Sequence, residues 1–457
     1  MNMNTDPQIL IHNSRINASN SKAISATYGM HLYTKDNRLD ALRRPHPKVR
    51  IIDRPCGTGK TTEILRSFQS DRQYLVVVPL LSEVERVIRD AVVEFVQPVP
   101  GGYDNTKSEH LKTLLSQGFN VVTTHKLFTE IAKASNAGLL DNYNIIVDEV
   151  LDVVKAVEGK SPLSFDQFYL NDGYAIEGCD GLITPTEKWD EQHQLVSDTL
   201  DPRLYQLAKS QTLYRADGKF FLWALPESLL LRGKSLTVYT YMAEGSLMRA
   251  YLEKKNISFD HERYAEEDTF RAAAYRLIDV RTIPALENLS WSYTGQTDSK
   301  GRERRNKVVA NALKNLKQRS LKGIGMDEVI ITCAKENWLK DGTSYQPTGF
   351  AKASRMFDAK WLPNTTRGTN DHAHSSVCIY LYDQYINPFI RRWLGLENAT
   401  EANARYALAE LIQWVYRSRV RRGQPITLFL PSKRMRGLFQ DWLEGGPDGL
   451  GKLPRGA

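Results

Sequence analysis

Arg54-Pro55-Cys56-Gly57-Thr58-Gly59-Lys60-Thr61-Thr62 follows the apolar run Val49-Arg50-Ile51-Ile52 and precedes Glu63 to Gln69, which reads as a helix. Strand, glycine-bearing turn and helix, in that order, describe a phosphate-binding loop. Gly57 and Gly59 let the backbone bend until several N–H groups point at one anion, and the N-terminus of the next helix adds partial positive charge. In this reading Gly57, Thr58, Gly59, Lys60, Thr61 and Thr62 cradle the phosphates of a nucleotide. Lys60 reaches the β- and γ-phosphates and the Thr61 hydroxyl holds Mg²⁺. The strict pattern wants glycine at its first position, where this chain has Arg54. A chance Gly-Lys-Thr turn is the competing reading, and the flanking strand and helix speak against it.

Beyond the loop, apolar runs that read as buried parallel strands recur at Tyr74 to Val78, Asn120 to Thr123, Asn144 to Val147 and Ser235 to Tyr239. Helical stretches, Leu81 to Phe95 and Ser108 to Gln117, lie between them. Such alternation predicts an α/β domain with a parallel sheet. A second series follows. Ala274 to Val280, Glu328 to Thr332, Ser376 to Leu381 and Pro425 to Leu430 read as strands; Arg304 to Gln318, Asn387 to Leu394, Glu401 to Arg417 and Ser432 to Leu443 read as helices. The expected organisation is an extension over 1–47, a first domain over 48–255 with an insertion at about 156–232, a second domain over 256–444, and a flexible tail over 445–457.

The second chemical signal is Asn144-Ile145-Ile146-Val147-Asp148-Glu149, an apolar strand ending in adjacent carboxylates. Asp148 can hold Mg²⁺ opposite Thr61, and Glu149 can polarise a water that attacks the γ-phosphate. An Asp-Glu pair alone would be an ordinary solvated strand end. Downstream of a phosphate loop in the same domain, it is read as its partner. Val78-Pro79-Leu80-Leu81-Ser82-Glu83 and Val122-Thr123-Thr124-His125-Lys126-Leu127 also end strands, so both would face the binding edge of an open parallel sheet, although taken alone each reads first as a helix cap; Thr240-Tyr241-Met242 ends a further strand, where a small hydroxyl residue can connect the nucleotide site to a nucleic-acid site.

Composition bounds the rest. The 457 residues suffice for two or three domains, and a net charge of +8 suits a polyanionic partner without requiring one. The four cysteines, Cys56, Cys179, Cys333 and Cys378, form no C-x-x-C pair, so the sequence suggests neither a zinc site nor a disulfide framework. No signal-peptide core and no run of about 18 apolar residues occurs, which predicts a cytoplasmic protein with no membrane span.

The ordered set Gly57-Thr58-Gly59-Lys60-Thr61, Val78-Pro79, Thr123-Thr124-His125, Asp148-Glu149 and Thr240-Tyr241-Met242 resembles the first RecA-like domain of a superfamily 2 helicase, a DEAD-like P-loop NTPase. Thr365-Thr366-Arg367-Gly368-Thr369-Asn370-Asp371 is similar to that family's fifth motif. Gln413-Trp414-Val415-Tyr416-Arg417-Ser418-Arg419-Val420-Arg421-Arg422-Gly423 is similar to its sixth, with Tyr416 and Arg419 in place of glycines. The resemblance spans roughly residues 48 to 442 without the insertion. Divergent proteins of this kind occur in phages and mobile elements.

The resemblance implies two tandem RecA-like domains, ATP and Mg²⁺ as ligands, and a DNA or RNA strand as partner. It implies Arg417 or Arg421 as an arginine finger that joins Lys60 and Glu149 in catalysis. It implies strand contacts at Thr124, His125, Lys126, Thr366 and Arg367. Two other functions share the loop and the acidic strand. A viral DNA-packaging ATPase would add a nuclease carboxylate cluster, which Asp371 and Asp383 alone do not make. A nucleic-acid-binding regulator with a decayed ATPase should have lost some of Lys60, Thr61, Asp148, Glu149 and Arg417.

Overall fold

The computed structural model describes residues 49–101, 106–131, 138–157, 165–194, 200–339, 346–366 and 368–445. The expected extension over 1–47, Arg367 and all of the expected tail beyond Gly445 lie outside the described residues.

The apolar runs from Val49 to Thr240, with one charged edge strand beyond them, pair into one parallel sheet. Its strands are β1 (Val49–Asp53), β2 (Gln73–Val78), β3 (Val121–Thr124), β4 (Tyr143–Asp148), β10 (Ser235–Thr240) and β11 (Phe259–Glu262); β5 to β9, numbered in chain order, belong to the insertion described below. They lie in the order β11-β1-β10-β4-β2-β3. Leu75, Val76 and Val77 are all buried, as expected for a strand covered on both faces. The register pairs Asp53 with Thr240, Tyr239 with Asp148 and Val78 with Thr124. The carboxyl ends of five strands therefore open on one edge, where ligands of open parallel sheets bind.

The second sheet is also parallel, in the order β12-β16-β15-β13-β14, from β12 (Ile278–Arg281), β13 (Val329–Thr332), β14 (Lys360–Trp361), β15 (Val377–Tyr380) and β16 (Ile426–Phe429). The helix Ala399–Val415 packs on one face, against Ile330, Cys378, Tyr380 and Leu428. The helix Arg302–Arg319 packs on the other, against Val329, Ile331, Val377 and Ile379. Alternate residues of each strand thus serve opposite layers. The molecule is the expected pair of tandem RecA-like domains.

The insertion in the first domain builds a small antiparallel sheet, β5 (Val154–Val157), β9 (Phe220–Ala224) and β8 (Leu213–Ala216), beside a hairpin of β6 (Ala175–Glu177) and β7 (Ile183–Pro185). It has its own core around Phe165, Tyr169, Trp189 and Phe221. A segment from the second half of the chain reaches back to it. Phe389 stacks on Phe220 at 3.2 Å between centroids, and Trp393 packs edge-on to Tyr214 at 5.3 Å.

Three readings of the sequence need correction. The run from Ala274 begins as the end of a helix, Glu267–Leu277, and turns to strand only at Ile278; its alanines favour helix, and Glu267 and Asp268 suit the helix N-terminus. The helix from Leu81 stops at Asp90, where Ala91 is extended. Strand β11 extends the first sheet beyond residue 255, where the sequence placed the domain's end. Among the described residues, no helix is long and apolar enough to cross a membrane.

Candidate nucleotide site

The phosphate loop leaves β1 and enters the helix Lys60–Arg66, whose N-cap is Gly59 at φ 84°. Gly57 stands at φ 89°. A side chain is disfavoured at both, and at Gly57 a Cβ would also lie 2.9 Å from the Arg421 carbonyl oxygen, which belongs to the second domain. At Gly59, which lines the cleft, nothing lies within 4 Å of that position. Thr58 donates its hydroxyl to the Pro55 carbonyl at 2.9 Å, closing the loop on itself.

Lys60 is only 8% exposed. Its Nζ lies 2.9 Å from Asp148 Oδ1 and 3.1 Å from Glu149 Oε1. Burial pulls the ammonium's pKa down, but the charges of Asp148 and Glu149 outweigh it and hold the group above the usual lysine range. Thr61 donates to Asp148 Oδ2 at 3.3 Å, so the hydroxyl and carboxylate expected to share a cation face each other. Glu149 sits just past β4 at φ 65°, uncommon for a residue with a side chain, and its N–H donates to the Tyr239 carbonyl at 2.9 Å.

The second domain supplies the opposite wall. Arg417, two residues beyond the helix Ala399–Val415, is 3% exposed. Its Nη2 lies 3.6 Å from Glu149 Oε1, and its Nε and Nη2 have no hydrogen-bond partner. Buried donors left open in this way could pair with an anion. Arg421 donates to the Thr369 carbonyl at 3.4 Å and to Asn370. Burial, with repulsion from Arg417, lowers its pKa from the usual arginine value. The loop carrying Thr369 closes on the first domain at Gly368, φ 78°, where a Cβ would run into Pro79. The cleft between these walls has a volume of about 260 Å³ and is lined by Gly57, Lys60, Thr61, Thr62, Glu149 and Arg417 among others.

Three of its neighbours have roles that the sequence did not give. Glu83 and Arg86, on the helix Leu81–Asp90, also line the cleft. They form an ordinary-looking i,i+3 pair, 3.7 Å apart; the sequence places the stretch ending in Glu83 at the binding edge without giving Glu83 a role, and nothing marks Arg86. Burial, and then the nearby Asp148, raises the Glu83 pKa. The third is Arg54. Its guanidinium reaches Glu262 of β11 at 2.8 Å, Glu63 of the loop's own helix at 3.4 Å and the Asp53 carbonyl at 2.9 Å, and lies over the Tyr264 ring. Where other phosphate loops have a glycine, this one has a clamp that ties its two ends to an edge strand.

The residues expected to touch nucleic acid have other partners. Thr124 caps the helix His125–Thr129 by accepting from Leu127 N–H. His125 Nε2 lies 2.9 Å from the Asp148 carbonyl oxygen, linking the sheet edge to the acidic strand. Lys126 is exposed, and Thr366 donates to the Pro363 carbonyl at 2.6 Å. Thr240 is fully buried with its hydroxyl unpartnered.

Residues 276–443 match the family described as the YonV C-terminal Rossmann-like domain. The SPbeta prophage-derived uncharacterized protein YonV of Bacillus subtilis (strain 168) is 26% identical over 427 residues, 87% of this chain and 99% of that protein. Among solved structures, S. tokodaii Xpd4 is similar with a TM-score of 0.46 at 12% identity, over 90% of this chain and 96% of that one. A hypothetical ATP-dependent RNA helicase from Sulfolobus tokodaii gives a TM-score of 0.21 at 10% identity, over 87% and 89%.

Proposed function

We propose that this chain hydrolyses ATP in the cleft between its two domains and couples hydrolysis to movement along a DNA or RNA strand, as a helicase or translocase of the superfamily 2 type. The observation that carries the reading is the meeting of Lys60, Thr61, Asp148 and Glu149 from one domain with the open guanidinium of Arg417 from the other. Mg²⁺, held by Thr61 and Asp148, would screen the phosphate charge.

The loop N–H groups and Lys60 bind and orient the phosphates, and for this Lys60 must leave its bridges to the two carboxylates. Glu149, released from Lys60, accepts a hydrogen bond from the attacking water and takes its proton. Arg417 neutralises charge that develops on the γ-phosphate oxygens, because a guanidinium stays charged and binds in a fork. Its position on the second domain ties hydrolysis to closure of the cleft. On the strand side, His125 bridges the sheet edge to the Asp148 backbone, so a strand lying over Thr124, His125 and Lys126 is felt at the acidic pair.

The reading is tested by ATP hydrolysis with and without single- and double-stranded DNA and RNA. Stimulation by at least one of them, abolished in Lys60→Ala and Glu149→Gln, is the expected result. Hydrolysis indifferent to every nucleic acid would sink the coupling, and its complete absence would leave a binding protein.

A further inference from the structure

The charge of this chain is concentrated in one place. Residues 300–322 contain nine lysines and arginines and one acid, Glu303, a net charge of +8 that equals the whole chain's; the other residues hold 52 basic and 52 acidic side chains. The segment is the helix Arg302–Arg319 with its two flanks.

The helix buries Val309, Ala312, Leu313 and Leu316 on the second sheet, on the face opposite the helix that leads to Arg417. Positions 304, 307, 311, 314 and 318 follow the three-and-four spacing of one helix side and are all exposed; they are Arg, Lys, Asn, Lys and Gln. Arg319 and Lys322 are exposed beyond them. From 304 to 318 the stripe runs about 21 Å at 1.5 Å per residue.

A solvated helix face ordinarily mixes signs, with acids three or four residues from its bases. Some other exposed cations of this chain do find acids: Arg50 meets Glu262 at 3.2 Å, Arg281 meets Asp279 at 2.7 Å and Arg392 meets Asp217 at 3.0 Å. Among the described residues Arg304, Lys307, Lys314, Arg319 and Lys322 have no ion pair or side-chain hydrogen bond. Uncompensated like charges along one helix repel, and they suit a polyanion that neutralises them.

We propose that this outer face is a second nucleic-acid contact, separate from the cleft edge, that holds the phosphodiester backbone of DNA or RNA. The side chains on offer are donors only or amides, suited to phosphate and sugar oxygens. The stripe has no aromatic side chain to stack a base, so binding there is indifferent to sequence. A membrane surface is a poor fit, because the helix's apolar side is committed to the domain core and leaves nothing to insert. The inference stands on surface charge and does not require hydrolysis.

The test uses the full chain without nucleotide, and fluorescent DNA of about 30 nucleotides, single-stranded in one arm and duplex in the other, titrated at several salt concentrations. The triple variant Arg304→Gln, Lys307→Gln, Lys314→Gln should bind at least one of them about tenfold more weakly at 0.1 M salt. Its plot of log affinity against log salt should flatten by about 2 to 3, close to one per lost phosphate contact. Thermal unfolding and basal ATP hydrolysis should match the parent. The triple variant Arg72→Gln, Lys219→Gln, Lys234→Gln, which removes the same charge elsewhere on the surface, should leave the slope unchanged. Unaltered affinity and slope in the first variant, or an equal loss in the second, overturns the proposal. Retention on polyglutamate with no binding to either DNA also overturns it, in favour of an acidic protein partner.

Discussion

Replacing Arg417 by alanine removes a guanidinium that the second domain brings to the cleft with two buried nitrogens free of hydrogen bonds. The guanidinium is 3% exposed and its Nε and Nη2 have no hydrogen-bond partner, so in the resting cleft it makes only the 3.6 Å approach to Glu149 and a long hydrogen bond, 3.5 Å, from Nη1 to the Thr369 carbonyl. Glu149 keeps Lys60 at 3.1 Å after the change, so no carboxylate is stranded. The loss should therefore fall on the transition state. One preorganised donor is worth about 10² to 10³ in kcat, or about 3 to 4 kcal/mol. Steady-state hydrolysis at saturating single-stranded nucleic acid should show that drop in kcat with KM for ATP within about threefold. Arg417→Lys keeps the charge but loses the fork, and should recover only a small part of the rate. A kcat within about threefold of the parent, in a variant that unfolds at the parent's temperature, would refute the assignment.

Other predictions follow the same geometry. Arg54→Ala loosens the loop by two part-exposed ion pairs and one cation–π contact, together about 1 to 2 kcal/mol, so KM for ATP should rise roughly 5- to 30-fold with kcat changed less; equal falls in both would mean a general loss of fold. At Gly245 a Cβ would meet the Arg405 carbonyl, a backbone atom that cannot step aside, and Gly245→Ala should cost about 1 to 3 kcal/mol in denaturant unfolding. Glu83 has a pKa raised above the ordinary 4.5, first by burial and then by Asp148. The folded state therefore holds that proton more tightly than the unfolded chain, and stability falls as pH rises from 4.5 through the raised value. Glu83→Gln should be more stable than the parent above that window and equal to it below, read from urea midpoints across pH.

Much of this was legible in the chain. The phosphate loop and the Asp148-Glu149 strand declare themselves because their chemistry needs fixed residue types at adjacent positions. The buried strands do so through unbroken Val and Ile runs. Strand β11, Phe-Asp-His-Glu, was not legible, since an edge strand alternates with solvent and here carries charges. The insertion's small sheet hides in short segments whose pairing is antiparallel and local. The role of Arg54 depends on Glu262, 208 residues away, which no local pattern connects to it. The same holds for Phe389 on Phe220: that contact between distant segments exists only once both domains have folded.

The proposed activity depends on one nucleotide site built from both domains. The most direct measurement is an experimental structure of the chain with Mg²⁺, a non-hydrolysable ATP analogue and a short single strand. The account predicts the γ-phosphate held between Lys60 and Arg417, with Lys60 withdrawn from Asp148 and Glu149. An analogue seated on the loop with Arg417 still turned to Glu149 and away from the phosphates, or bound elsewhere, would contradict it.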